Sequence, residues 1–544
     1  MATDTVTAMA MVARPNRSLR SGVMQIGLPS LKSGLSCRFA CVTLQTVVSL
    51  IGVMPQVARS QADAQAEVRP SISIVPRLSV SERYTDNVSL QSVGKQSELI
   101  TQVSPGISIS SRAGRIKGVF DYSLNELIYA RNTSGRQSQN SLNTVGTIEA
   151  LDNWAFIDFS GNISQQAISA FGTQSNNASA INGNSTETSV YRLSPYFRGR
   201  LGGFVDYVAR YSWSTTRSGV ATASDAKTKD ASLTLNGATS GPLGWNADAS
   251  SQALTYSSGR PVTADRLRGT LIYSFSPQVN VSLNESRESN NYTTATKESH
   301  NSFGAGLNWA ISESTKLAAQ LDRRSFGQSH NLSFEHRTAR TAWRFSDSQD
   351  VSATPVQSGT TTLGSLSDLL YGQFASVEPD PFKRTELVNR FLQDNGFRSD
   401  AKVISNFLTS AASLQRRQEA SFALLGIRDT VSFSLTRGSN SKLNNFVTGL
   451  GDLSNSSVVR QTGASIVYAH RLTPDAALNV IAARQNTSGA LGIQSTSLRT
   501  IDVTLSGRLG RQMNASIGAR RVFFDSTTTP YTETAVTGNL SVQF

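Results

Sequence analysis

The chain predicts an all-β membrane protein: a transmembrane antiparallel up-and-down β-barrel of about 22 strands (range 16–22), with one partly helical insertion. Three observations carry that prediction. Apolar and polar side chains alternate along most of the sequence after Ser71. Tight turns alternate with long polar connections, as they do between the two ends of such a barrel. Of 544 residues only 16% are charged and 38% hydrophobic, where soluble domains carry about 25% charge. Gly, Ser, Thr and Asn make up the difference, which suits two-faced strands joined by polar loops. Disorder shares that composition but has no reason to hold parity. A secreted parallel β-helix would need a repeat of fixed period, and there is none.

Residues 1–66 read as a Sec signal peptide. Arg14, Arg17, Arg20, Lys32 and Arg38 precede an apolar stretch from Phe39 to Met54, and Ala62-Asp63-Ala64 and Ala64-Gln65-Ala66 follow. A basic region, an apolar region and small-residue sites predict cleavage after Ala64 or Ala66. The basic region is long, and Met24 offers a later start. Thr43, Gln45, Thr46 and Ser49 dilute the apolar run, which disfavours a permanent helical span. Both cysteines, Cys37 and Cys41, fall in this segment, so residues 67–544 hold neither a disulfide framework nor a thiolate metal site. The segment holds six basic and two acidic residues, leaving about +9 of the chain's +13 in the remainder. That excess suits lipopolysaccharide phosphates or an acidic glycan as partners, and export argues against nucleic acid.

Residues 67–544 read as the barrel. Tight connections stand at 113–115, 152–153, 199–202, 241–244, 276–278, 312–314, 338–339, 426–429, 473–475 and 509–512. Long ones run over 169–186, 215–227, 439–457 and 486–495. Between them, faces separate. Val205, Tyr207, Ala209, Tyr211 and Trp213 oppose Asp206, Arg210 and Ser212. Leu267, Leu271, Tyr273 and Phe275 oppose Arg266, Arg268 and Thr270. Leu317 and Leu321 oppose Gln320, Asp322 and Arg324; Trp343 and Phe345 oppose Arg340 and Arg344. Leu478, Val480 and Ala482 oppose Asn479 and Arg484 only loosely, because Ile481 and Ala483 blur the pattern. Trp154, Trp213, Tyr273 and Trp309 are placed near strand ends, as an interfacial girdle requires. Both chain ends should face the periplasm, so the strand count must be even. That holds only if residues 330–337 and 340–348 are two strands around Thr338-Ala339.

Residues 350–411 break the alternation. Asp380 can cap a helix that has Pro381 in its first position. Leu387, Val388, Phe391 and Leu392 form its stripe, and Gly396 supplies a stop. Residues 365–374 suggest a second short helix, with Leu369, Leu370 and Phe374 apolar. Strand parity puts this insertion outside the cell or in the pore mouth, either as a compact decoration or as a plug.

The last strand has Val536, Leu540, Val542 and Phe544 on one face and Thr537, Asn539, Ser541 and Gln543 on the other. A two-faced strand ending in an aromatic resembles the assembly signal of outer-membrane barrels. Phe544 is its key residue, and the barrel-assembly machinery of a Gram-negative cell outer membrane is the implied partner. Further stretches are similar to one family. They are Pro76-Arg77-Leu78-Ser79-Val80-Ser81-Glu82-Arg83-Tyr84-Thr85-Asp86-Asn87-Val88, Val103-Ser104-Pro105-Gly106, His336-Arg337-Thr338-Ala339-Arg340, Glu378-Pro379-Asp380-Pro381 and Leu414-Gln415-Arg416-Arg417. Together they resemble the outer-membrane barrel family associated with PEP-CTERM/exosortase systems. The resemblance implies an exopolysaccharide export setting and brings no catalytic or binding residues with it.

Chemistry is sparse. The four histidines, His300, His330, His336 and His470, show no metal-ligand spacing, and only His330 and His336 share a strand face. There is no nucleophile elbow, phosphate loop or calcium-loop spacing, so neither an enzyme nor a cofactor is expected. The suggestive set is basic. Parity points Arg192, Arg198, Arg210, Arg266, Arg268, Arg324, Arg340, Arg344 and Arg520 inward, where guanidinium forks would attract carboxylated or sulfated glycans. The reading is a non-enzymatic outer-membrane barrel that conducts or guides an acidic polysaccharide in exopolysaccharide export. The alternatives are a scaffold barrel holding other export components, a general porin whose arginines pair with Asp206 and Asp322, and an outer-membrane hydrolase.

Overall fold

The computed structural model describes residues 72–112, 114–220, 224–237, 241–353, 366–374, 378, 380–394, 407–409, 411–443, 451–492 and 494–544. The predicted signal segment, with Cys37 and Cys41, lies outside them.

The described chain forms 22 strands in one sheet. They are β1 (Ile72–Thr85), β2 (Glu98–Ser111), β3 (Ile116–Tyr129), β4 (Arg136–Leu151), β5 (Ala155–Ala167), β6 (Ser185–Leu201), β7 (Val205–Ser218) and β8 (Ala226–Gly237). Next come β9 (Leu243–Tyr256), β10 (Val262–Ser276), β11 (Val279–Asn290), β12 (Glu298–Ser312), β13 (Thr315–Arg324), β14 (Gly327–Arg337) and β15 (Thr341–Ser352). After the insertion follow β16 (Ser413–Leu425), β17 (Asp429–Lys442), β18 (Val458–Thr473), β19 (Ala476–Ser488), β20 (Ser495–Arg508), β21 (Met513–Ser526) and β22 (Tyr531–Gln543). Every strand pairs antiparallel with its sequence neighbours, and β22 pairs with β1 through Val80↔Leu540 and Tyr84↔Val536. The Phe544 amide donates to the Pro76 carbonyl (2.9 Å), so the C-terminal residue rests against β1. Closure removes the unpaired edge that an open sheet of this size would expose.

Paired residues share a face, so the register carries parity around the wall. Trp343, Phe422, Phe433 and Ile466 form one outward row across β15–β18. Leu267, Leu271 and Leu283 are 62%, 58% and 63% exposed on that outer surface. Water would penalise such a band at about 25 cal/mol per Å², and hydrocarbon removes the penalty. No helix among the described residues is long and apolar enough to cross a membrane. The chain is an outer-membrane β-barrel, crossing by strands.

Both the β1 start and the β22 end lie at the end that carries the short turns, which is the periplasmic end. At that end Gly202 (φ 56°) and Gly203 (φ 79°) make a left-handed two-residue turn closed by Phe204 N–H to Leu201 O at 3.2 Å. The turn therefore falls after Leu201, not at Gly199, because only Gly202-Gly203 supplies two left-handed residues in succession. Asn153 (φ 56°) turns β4 into β5. The pair β14 and β15 stands as two strands around residues 338–340. Three further readings are corrected. Trp213 sits well inside β7 instead of at its end. Arg484 shares the outward face of Leu478, opposite Ala464. Arg340 lies in the exposed turn before Thr341, so it faces the periplasm and not the lumen.

Candidate functional site

The site is the lumen, and its contents come from the 60-residue connection between β15 and β16. Its two described helices are α1 (Leu366–Gln373) and α2 (Pro381–Asp394). Asp380 Oδ1 accepts from the Phe382 and Lys383 amides at 2.9 and 3.0 Å, capping α2 where Pro381 needs no donor. The stripe of α2 then meets α1. Leu366, Leu370, Phe374, Val388 and Leu392 are all buried together with Val467, and Leu425, Ile481 and Ala483 pack around them. Those last four residues are inward-facing on β16, β18 and β19. The helices therefore lie inside the barrel.

They also lie deep. The insertion leaves the wall at the extracellular ends of β15 and β16, where Ser352 pairs with Ser413. Yet Arg344 Nη1 donates to the Gly372 carbonyl (2.9 Å), and the Ser432 hydroxyl donates to Gln373 (2.5 Å). Both side chains belong to the periplasmic halves of their strands. On the other side, Glu386 of α2 pairs with Arg112, at the periplasmic end of β2. α1 thus contacts β15 and β16, and α2 reaches β3, about half the circumference away. The helix pair spans the lumen from wall to wall near its periplasmic end.

The extracellular mouth is roofed separately. The β5–β6 loop folds inward: Tyr129 donates to the Ser179 carbonyl (3.0 Å), Tyr531 to the Gln174 carbonyl (2.6 Å), and Arg83 to the Ser179 hydroxyl (2.6 Å). Leu90, Ala180, Leu498, Phe524 and Tyr531 form a small core there, and Val88, Ile100, Leu127 and Tyr129 another. A short helix α3 (Asp452–Asn455) ties this loop to the β17–β18 loop. The Asp452 carboxylate accepts from the Ser169 hydroxyl (2.5 Å) and the Ala170 amide (2.6 Å). Burial raises the Asp452 pKa against the lowering effect of those two bonds. A raised native pKa favours the docked loop at low pH, and that contribution is lost as pH rises through it. The protection factor of the Ala170 amide, its exchange relative to the free amide at the same pH, should therefore be larger at pH 4 than at pH 7, and Asp452→Asn should flatten the difference. Equal protection factors at both pH values would rule the coupling out.

Between plug and roof the wall is lined by ion pairs. Of the nine arginines that parity aims inward, all but Arg340 face the lumen. Arg192 meets Asp230 (3.4 Å), Arg210 meets Asp158 (2.7 Å) and Arg268 meets Asp322 (3.4 Å). Arg266 (3.2 Å) and Arg324 (2.8 Å) share the fully buried Glu288, and Arg324 also holds Asp350 (2.5 Å). Arg520 meets the buried Glu533 (3.2 Å), and Arg344 lies 3.9 Å from Glu335. Arg198 stacks on Phe156, 4.3 Å from the ring centroid. Asp206 is held by Arg200 (2.7 Å). Space for the Asp322 pair comes from Gly304, where a Cβ would collide with the Asp322 carboxylate. The acidic halves Asp158, Glu288 and Glu533 escaped sequence reasoning. Their inward parity was the signal that could have found them.

The histidines do not assemble. His330 and His336 share the outer face, but His330 contacts Asp347 (3.1 Å) and His336 contacts Thr315 (2.8 Å). No group of three His, Cys, Asp or Glu residues suited to a metal occurs among the described residues.

These features define a Gram-negative outer-membrane β-barrel whose lumen is occupied by its own chain. No protein-family model matches the chain, and no curated protein matches it. Solved structures to which it is similar include the siderophore receptor PirA from Pseudomonas aeruginosa, at 10% identity and TM-score 0.43, covering 88% of this chain and 81% of that one. The FrpB iron transporter from Neisseria meningitidis is similar at 11% identity and TM-score 0.46, covering 87% and 81%. The barrel assignment rests on the strand pairing itself.

Proposed function

We propose that this protein is a non-enzymatic, gated outer-membrane conduit that passes or guides an acidic polysaccharide in exopolysaccharide export. The observation that carries the gating is the helix pair bridging the lumen. The acidic cargo is supported by the inward arginines. Several keep unused donors: Arg266 Nη2, Arg268 Nε and Arg520 Nε are buried without hydrogen-bond partners among the described residues. A carboxylated chain could exchange with the wall carboxylates at such forks, one pair at a time. The polysaccharide setting itself rests on the PEP-CTERM/exosortase resemblance. Outer-membrane lipid, lipopolysaccharide, the barrel-assembly machinery and other export components complete the proposed partners.

A barrel freed of its insertion should prefer anions in planar bilayers, and Arg192→Ala/Arg210→Ala should lower its anion-to-cation permeability ratio by about twofold or more. An unchanged ratio would remove the arginines from the mechanism. The second reading is a sealed scaffold for export components, favoured by closure at both ends. It predicts a wild-type barrel that stays silent in bilayers even with polysaccharide present, while retaining partner proteins in pull-down.

A further inference from the structure

The outer wall of β17, β18 and β19 carries a feature the lumen does not explain. Arg437, Arg460 and Arg484 face outward and are exposed on three consecutive strands. Arg484 has one weak bond, to Asn486 (3.4 Å), and Arg437 and Arg460 have no ion pair among the described residues. Their flanks differ. Arg416 is held by Asp347 (2.8 Å), and Arg499 by Asp525 (2.5 Å). Between those flanks, the outward residues on the extracellular half of the three strands include no Asp or Glu.

Depth makes the patch specific. On β18 the outward residues run from Leu472 past His470, which meets Asp429 (2.7 Å) near the periplasmic rim, through Tyr468 and Ile466 to Ala464. Eight residue steps at 3.4 Å, tilted by about 40°, span roughly 20 Å, close to the height of an outer-membrane apolar band. Arg460 follows one polar step beyond, at the extracellular side. The arginines stand at the boundary between hydrocarbon and headgroups. Level with Arg484 and just below Arg437 and Arg460 is a groove of 380 Å³ lined in part by Phe345, Ala420, Leu435 and Ala464, with Arg437 and Arg484 on its walls. Ala420 and Ala464 make the groove, because the larger Phe345 and Leu435 share their register row.

We infer that this wall is a binding site for a phosphorylated, acylated glycolipid of the outer leaflet. Its phosphates are held by Arg437, Arg460 and Arg484, and one acyl chain lies in the groove. An extracellular glycan would not use the apolar groove. A protein partner would have to reach through the headgroups. An outer-leaflet glycolipid presents both chemistries at this depth, and guanidinium forks match phosphate in charge and geometry.

The test uses the full-length barrel purified in detergent. Bisphosphorylated lipid A, dephosphorylated lipid A and phosphatidylglycerol are offered separately, and bound lipid is counted by native mass spectrometry. Bisphosphorylated lipid A should be retained about tenfold better than either alternative, and Arg437→Gln/Arg460→Gln/Arg484→Gln should lose about tenfold. Arg287→Gln/Arg323→Gln, which alters outward arginines elsewhere on the wall, should retain wild-type binding. If the triple variant does not reach the heat-modifiable folded form, Ala464→Leu, which fills the groove and keeps the charge, should weaken retention instead. Undiminished retention by a folded triple variant, or equal retention of phosphatidylglycerol or dephosphorylated lipid A, would overturn the assignment.

Discussion

Replacing residues 354–411 with a four-residue Gly-Ser linker is expected to turn a nearly silent barrel into an open pore. Ser352 and Ser413 are direct partners on adjacent strands, so a hairpin-length linker closes the gap without moving the wall. The excision removes both helices that cross the lumen and leaves the β15–β16 ladder intact. A barrel of about this strand number is wide enough for a water-filled channel once nothing fills it. Single-channel conductance in planar bilayers should rise at least about tenfold. A milder version tests the packing: Val388→Asp puts a charge into the core of the helix pair, at a cost of several kcal/mol, and should give flickering openings. If excision leaves the current unchanged, the extracellular roof alone seals the barrel and the helices are not the gate.

The second large effect is expected at Glu288. Its side chain is fully buried and serves Arg266 and Arg324 together. Glu288→Ala leaves two neighbouring guanidinium groups with only Asp350 between them. Removing one partner of a buried pair typically costs about 3–5 kcal/mol, because the remaining charge is stranded. Urea unfolding of the barrel refolded into vesicles should show that loss, and Glu288→Gln a smaller one. Asp265→Ala breaks a solvent-exposed pair with Lys297 and should cost less than about 1 kcal/mol. Equal losses at the two sites would mean that burial of the Glu288 group contributes nothing.

Much of this architecture was legible from parity, because a closed wall has only two faces and lipid covers one of them. Leu267 and Leu271 against Arg266 and Arg268 is enough to orient β10. The insertion was also legible as helical, since capping by Asp380 and the Val388–Leu392 stripe are local signals. Its destination was not. That depends on Val467, Leu425 and Ile481, which are distant in sequence and look like ordinary strand residues. The one strand with blurred alternation, β19, contains the explanation: Ile481 and Ala483 are apolar inside because they meet the helices. Arg340 misled because parity was extended one residue past the strand, into a turn where facing has no meaning. The roof was invisible for the opposite reason. Tyr531 reaching Gln174, 357 positions away, leaves no periodic trace.

The insertion joins the wall at the cell-surface ends of β15 and β16, while its helices rest near the opposite rim. A stopper hung this way stays tied to the cell-surface rim by both of its ends even when it leaves its seat on β16, β18 and β19, so unseating it frees the lumen without shedding the plug.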